Sequence, residues 1–260
     1  MINMMRADLY RIFRSKAIYI TFVVMVVILF LQINAHQTGT NIGINFTMGE
    51  DFYLESVATG AVAAQVILQS MGDMIFILLP LILAVSMAVF SSGTIKNDLS
   101  MGTSRVRLYL SKWVLSAAVC ATYIVLYISI AVIFATVSNG LGYWGNGLLA
   151  NVLRIFGMQM LFVLAFSSVG VFLCFVTKKS AIVIASYIAF ALLPPMIAAL
   201  LHGIIPSVME AYVNYDLWLQ FTIFSQVADA NIFRGLAVGL AYLIVPTVGG
   251  IMLFKKAEIK

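Results

Sequence analysis

Stretches of about twenty consecutive apolar residues recur along this chain, and they constrain its fold more than any motif does. A helix crossing a hydrocarbon layer needs ~20 mostly apolar residues, because its backbone polar groups must be bonded within the segment. Six such stretches are present, at about 17–34, 73–92, 113–137, 152–176, 181–202 and 235–254. They are continuously apolar instead of alternating, which argues against a transmembrane β-barrel. With 63% of residues hydrophobic and 10% charged, too little polar surface remains to cover a soluble core. The expected fold class is an all-α integral membrane protein with six transmembrane helices, forming a single domain over 1–260. The first stretch, "AIYITFVVMVVILFLQI", is long for a signal-peptide core, and "INAHQ" is a poor cleavage site. It therefore reads as a retained helix.

Charge gives this expectation a direction. If the N-terminus is inside and six spans alternate, the inner segments carry Arg6, Arg11, Arg14 and Lys16; Lys96, Arg105, Arg107 and Lys112; Lys178 and Lys179; and Lys255, Lys256 and Lys260. Thirteen of the fifteen basic residues then lie inside, with Arg154 and Arg234 outside. Cytoplasmic loops retain Lys and Arg, so both termini are expected in the cytoplasm. The outer face holds seven acids against two bases. The net charge of +5 is then no nucleic-acid footprint. It lies along the inner membrane surface, where anionic lipids are the simplest counter-charge.

Residues 2–15 have a period of their own. At ~100° per residue, Ile2, Met5, Leu9, Ile12 and Phe13 share one face. Arg11 and Arg14 point the other way, and Arg6 flanks the stripe. This reads as an amphipathic helix lying in the inner interface, its basic residues toward headgroups.

The first outer segment begins polar and Gly-rich ("HQTGTNIGINFTMGED") and turns apolar by Ser56. From Ser56 to Phe90 one helix would be ~52 Å long, against a bilayer core of ~30 Å. An extra helix or re-entrant piece is expected around 54–70, then a break near Gly72–Asp73, then a second span kinked at Pro80. Pro194 and Pro195 are expected to interrupt the fifth span, and Pro246 the sixth. The last outer segment, 203–234, holds "YDLWLQFTIF". Its Trp218, Phe221 and Phe224 are spaced like an aromatic belt at the membrane interface. "GLAVG", from Gly235 to Gly239, is a small-xxx-small pattern that lets helices approach closely.

Several chemistries lack their residues. There is no HExxH, no GxSxG, and no cluster with metal-ligand spacing. His36 and His202 are isolated, and Cys120 and Cys174 read as packing residues inside spans. None of the eighteen glycines is followed by Lys, so no phosphate-cradling GxxxxGK[ST] is present. The spans are nearly empty of ionisable groups. Asp73, Arg154 and Arg234 come closest, each at an expected outer helix end, where side chains snorkel. This pattern argues against an ion-coupled carrier, whose spans need such groups near the midplane.

One stretch gathers much of the charge: "FSSGTIKNDLSMGTSRVRLYLSK", Phe90 to Lys112. Ser92 or Thr94 can cap a short helix with Ile95 and Leu99 on one side. Gly102 can end it. Thr103 or Ser104 can cap a second helix that runs through "RVRLYLSK" into the third span. The product is an elbow that shows Lys96, Asn97 and Asp98 to the cytoplasm and buries Ile95 and Leu99.

This run resembles the segment between the second and third spans of ABC-2-type permeases, the membrane subunits of many bacterial ABC exporters. Gly93, Ile95, Lys96, Asn97, Leu99, Gly102, Ser104, Arg105, Tyr109 and Lys112 carry the likeness. The rest of the chain matches in architecture more than in residues, and it is similar to the small permeases of bacteriocin-immunity and peptide- or drug-export systems. The resemblance implies that the elbow is a coupling helix seated in a separate ATPase. Ile95, Lys96, Asn97, Asp98, Leu99, Gly102, Ser104 and Arg105 would form that contact. The interfacial helix, with Arg6, Leu9, Arg11, Phe13 and Arg14, would help to form it. It further implies a cytoplasmic ABC ATPase dimer as partner, a second permease subunit, and a place in the bacterial plasma membrane. No cofactor is expected on this chain, which would be no enzyme itself; ATP and Mg would sit on the partner. The expected cargo is amphipathic or hydrophobic. The alternative is a non-transporting anchor or sensor subunit that binds a cytoplasmic protein through the same elbow.

Overall fold

The computed structural model describes residues 2–38, 59–69, 71–91, 93, 95, 104–145, 147–226 and 232–256. Among these the regular structure is helical throughout. Helix α1 (Ile2–Phe13) is followed by α2 (Lys16–Thr38), α3 (Gly60–Gln69), a 3-10 turn (Met71–Asp73), α4 (Met74–Ser86) and α5 (Ala88–Ser91). Then come α6 (Arg105–Asn139), α7 (Leu148–Thr177), α8 (Ser180–Leu201), α9 (Pro206–Tyr215), α10 (Leu217–Gln226) and α11 (Ile232–Lys256).

Four of these, α6, α7, α8 and α11, are long and apolar enough to cross a membrane. The segment Met5–Phe13 with Lys16–Leu31, bent by 60°, makes a fifth if the pair is one span. Met74–Phe90 is apolar but shorter. The chain is therefore an all-α protein of the multi-pass membrane class. Its outward apolar residues fit that class. Val23, Val27 and Phe30 on α2, Ile133 on α6, Ile184 and Ile188 on α8, and Ile244, Val245 and Val248 on α11 are all exposed.

Helix α7 is the centre of the bundle. Phe162, Val163, Ala165 and Val171 on it are fully buried, and α11, α6, α4, α8 and α10 all pack against it. The α7–α11 contact depends on the small residues of "GLAVG". A Cβ on Gly239 would stand 2.8 Å from Leu161, so the two helices approach through a missing side chain.

The segment leading into the second expected span is broken inside the bundle. α3 starts beside the end of α6, where the Gly60 and Ala61 N–H groups donate to the Gly140 and Leu141 carbonyls at 3.1 Å. The break falls at Met71–Asp73, as the polar "SMGD" predicts. It lies deeper than expected, since Met71, Gly72 and Met74 are buried. α3 runs along α6 before the break and α4 after it. Gln159 of α7 donates its Nε2 proton to the Leu68 carbonyl at the end of α3, bonding one of the carbonyls that a helix end leaves free.

Three expectations need correction. Pro194 and Pro195 do not interrupt α8, and Pro246 does not interrupt α11; each helix runs through them. Near Pro246, the Thr247 hydroxyl donates to the Leu243 carbonyl at 2.6 Å. The aromatic stripe of α10 is no interfacial belt. Trp218 and Phe221 are buried, meeting Phe76, Phe162 and Phe166 with ring centroids 5.9–6.3 Å apart. Edge-on aromatic packing into the bundle outweighs the interface here. The side chain of Phe224 lies outside the described residues.

Near the other end, Tyr109 of α6 fills the notch left by Gly250 of α11. A Cβ on Gly250 would lie 2.3 Å from the Tyr109 hydroxyl and 2.6–2.7 Å from its ring. Gly250→Ala is therefore expected to destabilise the purified protein by about 1–3 kcal/mol, the usual cost of overpacking. In a Tyr109→Ala background the same change should cost far less. Thermal unfolding of the four variants in one detergent measures the difference, and equal costs in both backgrounds would place the strain elsewhere.

Candidate functional site: the corner of α1, α6 and α11

The sequence points to two neighbouring elements, the amphipathic helix and the elbow. The structure joins their frame through one ion pair. Lys112, on the first turns of α6, is 1% exposed, and its Nζ lies 2.5 Å from Asp8 Oδ2 on α1. Asp8 is itself buried, and its other oxygen accepts from Arg11 at 3.1 Å. An ammonium at this depth needs its counter-charge, since an unpaired buried ion costs several kcal/mol. The pair thus fixes the start of α6 to the middle of α1.

The joint between α1 and α2 is also closed. The Tyr19 hydroxyl donates to the Phe13 carbonyl at 2.8 Å, and Arg14 and Ser15 N–H groups reach back to Arg11 and Ile12. Ile12 packs into the core. Arg6, Leu9, Phe13 and Arg14 are exposed, and the Arg14 guanidinium lies over the Tyr10 ring, 5.4 Å from its centroid. The expected stripe is therefore split. Ile12 faces protein, while Leu9 and Phe13 stay free to meet an apolar surrounding, the arrangement of an interfacial helix with one edge anchored.

On the elbow the described residues follow the expectation in two places. Ile95 is buried at 7% exposure and joins the core. Ser104 is the N-cap of α6, its hydroxyl accepting from the Arg107 N–H at 3.3 Å. Lys96, Asn97, Asp98, Leu99 and Gly102 lie outside the described residues. Gly93, before them, is exposed with φ +66°, the left-handed region that suits glycine.

Arg105 has a use that sequence reasoning did not find. Its guanidinium donates to the Lys255 carbonyl at 2.8 Å and the Phe254 carbonyl at 3.3 Å. Those are among the last carbonyls of α11, which have no partner within the helix. A cation there also meets the negative end of the helix dipole. Below it, Tyr109, Phe90 and Phe254 surround Phe175, with ring centroids 4.8–5.2 Å apart. The ends of α5, α7 and α11 and the start of α6 therefore meet in one corner beside α1.

The other candidate residues are scattered. Asp73 ends the 3-10 turn between α3 and α4, immediately before α4 begins. Arg154 is exposed near the start of α7, and Arg234 reaches the Asn214 side chain of α9. Among the described residues no three His, Cys, Asp or Glu side chains come close enough to hold a metal ion. Lys178, Lys179, Lys255 and Lys256 add positive charge at helix ends.

No known protein family matches this chain, and no curated protein matches it.

Breaking the pair from one side should cost more than removing both charges. Asp8→Leu is expected to lose about 3–5 kcal/mol, because it takes the carboxylate away from the buried Lys112 ammonium, and Lys112→Met less, because Asp8 keeps its bond to Arg11. The double variant should recover most of that loss. Unfolding midpoints, with limited proteolysis of α1 as a local readout, test this. Additive losses would show that the two residues stabilise the fold independently.

Proposed function

We propose that this chain is the membrane-spanning permease subunit of an ATP-driven ABC exporter. It works with a separate cytoplasmic ATPase dimer and a second permease subunit, and it moves an amphipathic or hydrophobic cargo out of the cell or membrane. The observation that supports this reading best is the Asp8–Lys112 pair. It brings α1 and the start of α6 to one corner, so the two elements that the ABC-2 resemblance assigns to ATPase contact share one frame. Arg105 ties the same corner to α11. A push on the elbow would therefore be felt at the ends of α1, α6 and α11 together.

The finer topology belongs to the same reading: six crossings of a bacterial plasma membrane, with both termini in the cytoplasm. Two features support it. If α2 crosses the membrane, the contact between residues 8 and 112 favours a return crossing before α6, for which the chain through α3, the buried turn, α4 and α5 is available. The basic residues of the corner also lie together, as expected if that corner is on the side where such charge is retained.

Within this reading, Lys96 and Asn97 of the elbow would meet the ATPase, whereas Arg105 serves α11. Lys96→Glu with Asn97→Ala is expected to cut ATPase recovery, on purification in mild detergent, to below about a tenth, equivalent to more than ~1.4 kcal/mol. Membrane insertion should be unchanged. Arg105→Ala should instead loosen the C-terminal end of α11. Undiminished ATPase recovery with the Lys96/Asn97 variant would place the contact elsewhere. A wild-type chain that brings no nucleotide-binding partner would favour the anchor or sensor alternative.

A further inference from the structure

Helices α8 and α11 both rest on α7 and leave a cleft between them. It holds about 420 Å³ and is lined almost wholly by apolar groups. Phe172 and Leu173 form its floor, Phe190 one wall, and Tyr242, Val245 and Pro246 the other. The lining residue Ser186 turns its hydroxyl back to the Ile182 and Val183 carbonyls, so it offers the cleft little polarity. The mouth is open. Val245 is 68% exposed, and Ile188 and Val248 on the same two helices are exposed as well. α8 and α11 are both long and apolar enough to cross a membrane, so in a bilayer this mouth faces hydrocarbon.

A charge acts on one wall of the cleft from outside its lining. Tyr242 lines the cleft, its ring edge-on to Phe190 at 5.8 Å, and it also lies within electrostatic reach of Asp216. Asp216 stands where α9 turns into α10. α9 packs on α8, and α10 packs on α7 and α11, so the two short helices border the three that form the cleft. The Asp216 Oδ1 caps α10, accepting from the Leu219 N–H at 2.8 Å. Tyr212 of α9 also feels its charge. Among the described residues no basic side chain pairs with Asp216. The guanidinium of Arg234, which reaches α9, goes to Asn214 instead. Burial pushes the Asp216 carboxyl up to about 6, although the Leu219 and Trp218 N–H groups pull it down.

We propose that the cleft and Asp216 form one binding site for a lipophilic cation. The apolar tail lies between α8 and α11, and the cationic head meets the Asp216 carboxylate beside the Tyr212 and Tyr242 rings. The charge complementarity is direct: a partly desolvated carboxylate with no counter-ion among the described residues, and an apolar slot open to the phase where such compounds dissolve. This rests on the export reading and names the chemistry of its cargo.

The test uses the whole chain in zwitterionic lipid nanodiscs, with empty nanodiscs as the blank. The probe is radiolabelled dodecyltrimethylammonium, and dodecanol is the uncharged competitor. Saturable binding above the blank is expected, and dodecanol should displace it poorly. Asp216→Asn keeps a residue that can cap α10 and should weaken binding at least about tenfold. Ala241→Trp, which fills the cleft, should weaken it too, and thermal unfolding checks that both variants fold. Since the probe's charge is fixed, wild-type binding should strengthen as pH rises through about 6, where Asp216 ionises. The Asn variant should show a flat profile. The charged and titratable groups of the elements around Asp216 include Tyr212 and the exposed Glu210 and Tyr215 of α9, and Tyr242 and Arg234 of α11, the last bonded to Asn214. α10 itself has none, Tyr187 of α8 is bonded to the Ile75 carbonyl, and Arg154 and Cys174 lie toward the two ends of α7. Equal binding by wild type and Asp216→Asn, or equal displacement by dodecanol, would overturn the site even if an ATPase co-purifies. Cation binding that depends on Asp216, in a chain that recruits no ATPase, would uphold the site and overturn the export reading.

Discussion

A lysine buried to 1% exposure in an apolar bundle dictates much of what surrounds it. Lys112 sits on the second turn of a helix long enough to cross a membrane, and its charge is satisfied by Asp8, 104 residues earlier. Leaving that ammonium alone would cost several kcal/mol, a large share of the net stability of any domain. The amphipathic α1 is therefore held at the start of α6 by an interaction the bundle cannot easily lose. From that point the order of the helices follows. α2 leaves the corner alongside α6, with the Tyr123 hydroxyl bonded to the Ile18 carbonyl and Phe30 near Phe134. The chain returns through α3, the buried turn and α4, and α7 and α11 come back to the same corner.

The corner and the cleft lie on one set of helices. α11 is bonded near its end by Arg105 and met further along by Tyr109, whose hydroxyl approaches the Pro246 carbonyl at 3.5 Å. Pro246 is also a wall of the cleft. α6 thus holds α11 at two levels, one at the corner and one at the cleft. In the export reading, this gives a push on the elbow a packed route to the region where cargo would sit. The route consists of discrete contacts between rigid helices, the kind of element through which coupling can travel.

Much of the fold was legible because membrane helices are written in continuous apolar runs. The break at Met71–Asp73, the cap at Ser104, the burial of Ile95 and the close approach at Gly239 all follow from local residue chemistry. Local chemistry could not show which distant groups pair. Asp8 reads as a lone acid among arginines, and Lys112 as one more basic residue near a span. Their meeting is a tertiary fact. Arg105 reads as an exposed cation on the elbow, and its bonds to the end of α11 depend on where a helix 150 residues away stops. Spacing alone misplaces the α10 aromatics for a related reason. Spacing shows a stripe, but only packing shows whether it faces lipid or the Phe162–Phe166 face of α7. The prolines mislead because a helix inside a bundle can continue past a lost N–H when neighbours support it.

The most direct test concerns which side of the membrane each connection occupies. In a background with Cys120→Ser and Cys174→Ser, single cysteines are placed at Thr40, Ser100, Asn146, Ser180 and Ser207. They are labelled with a membrane-impermeant maleimide, before and after permeabilising the cells. The account predicts labelling of the Thr40, Asn146 and Ser207 positions in intact cells, and of Ser100 and Ser180 only after permeabilisation. Labelling of the Thr40 and Ser100 positions from the same side would remove the crossing through α3 and α4. It would contradict the corner on which the proposed function rests.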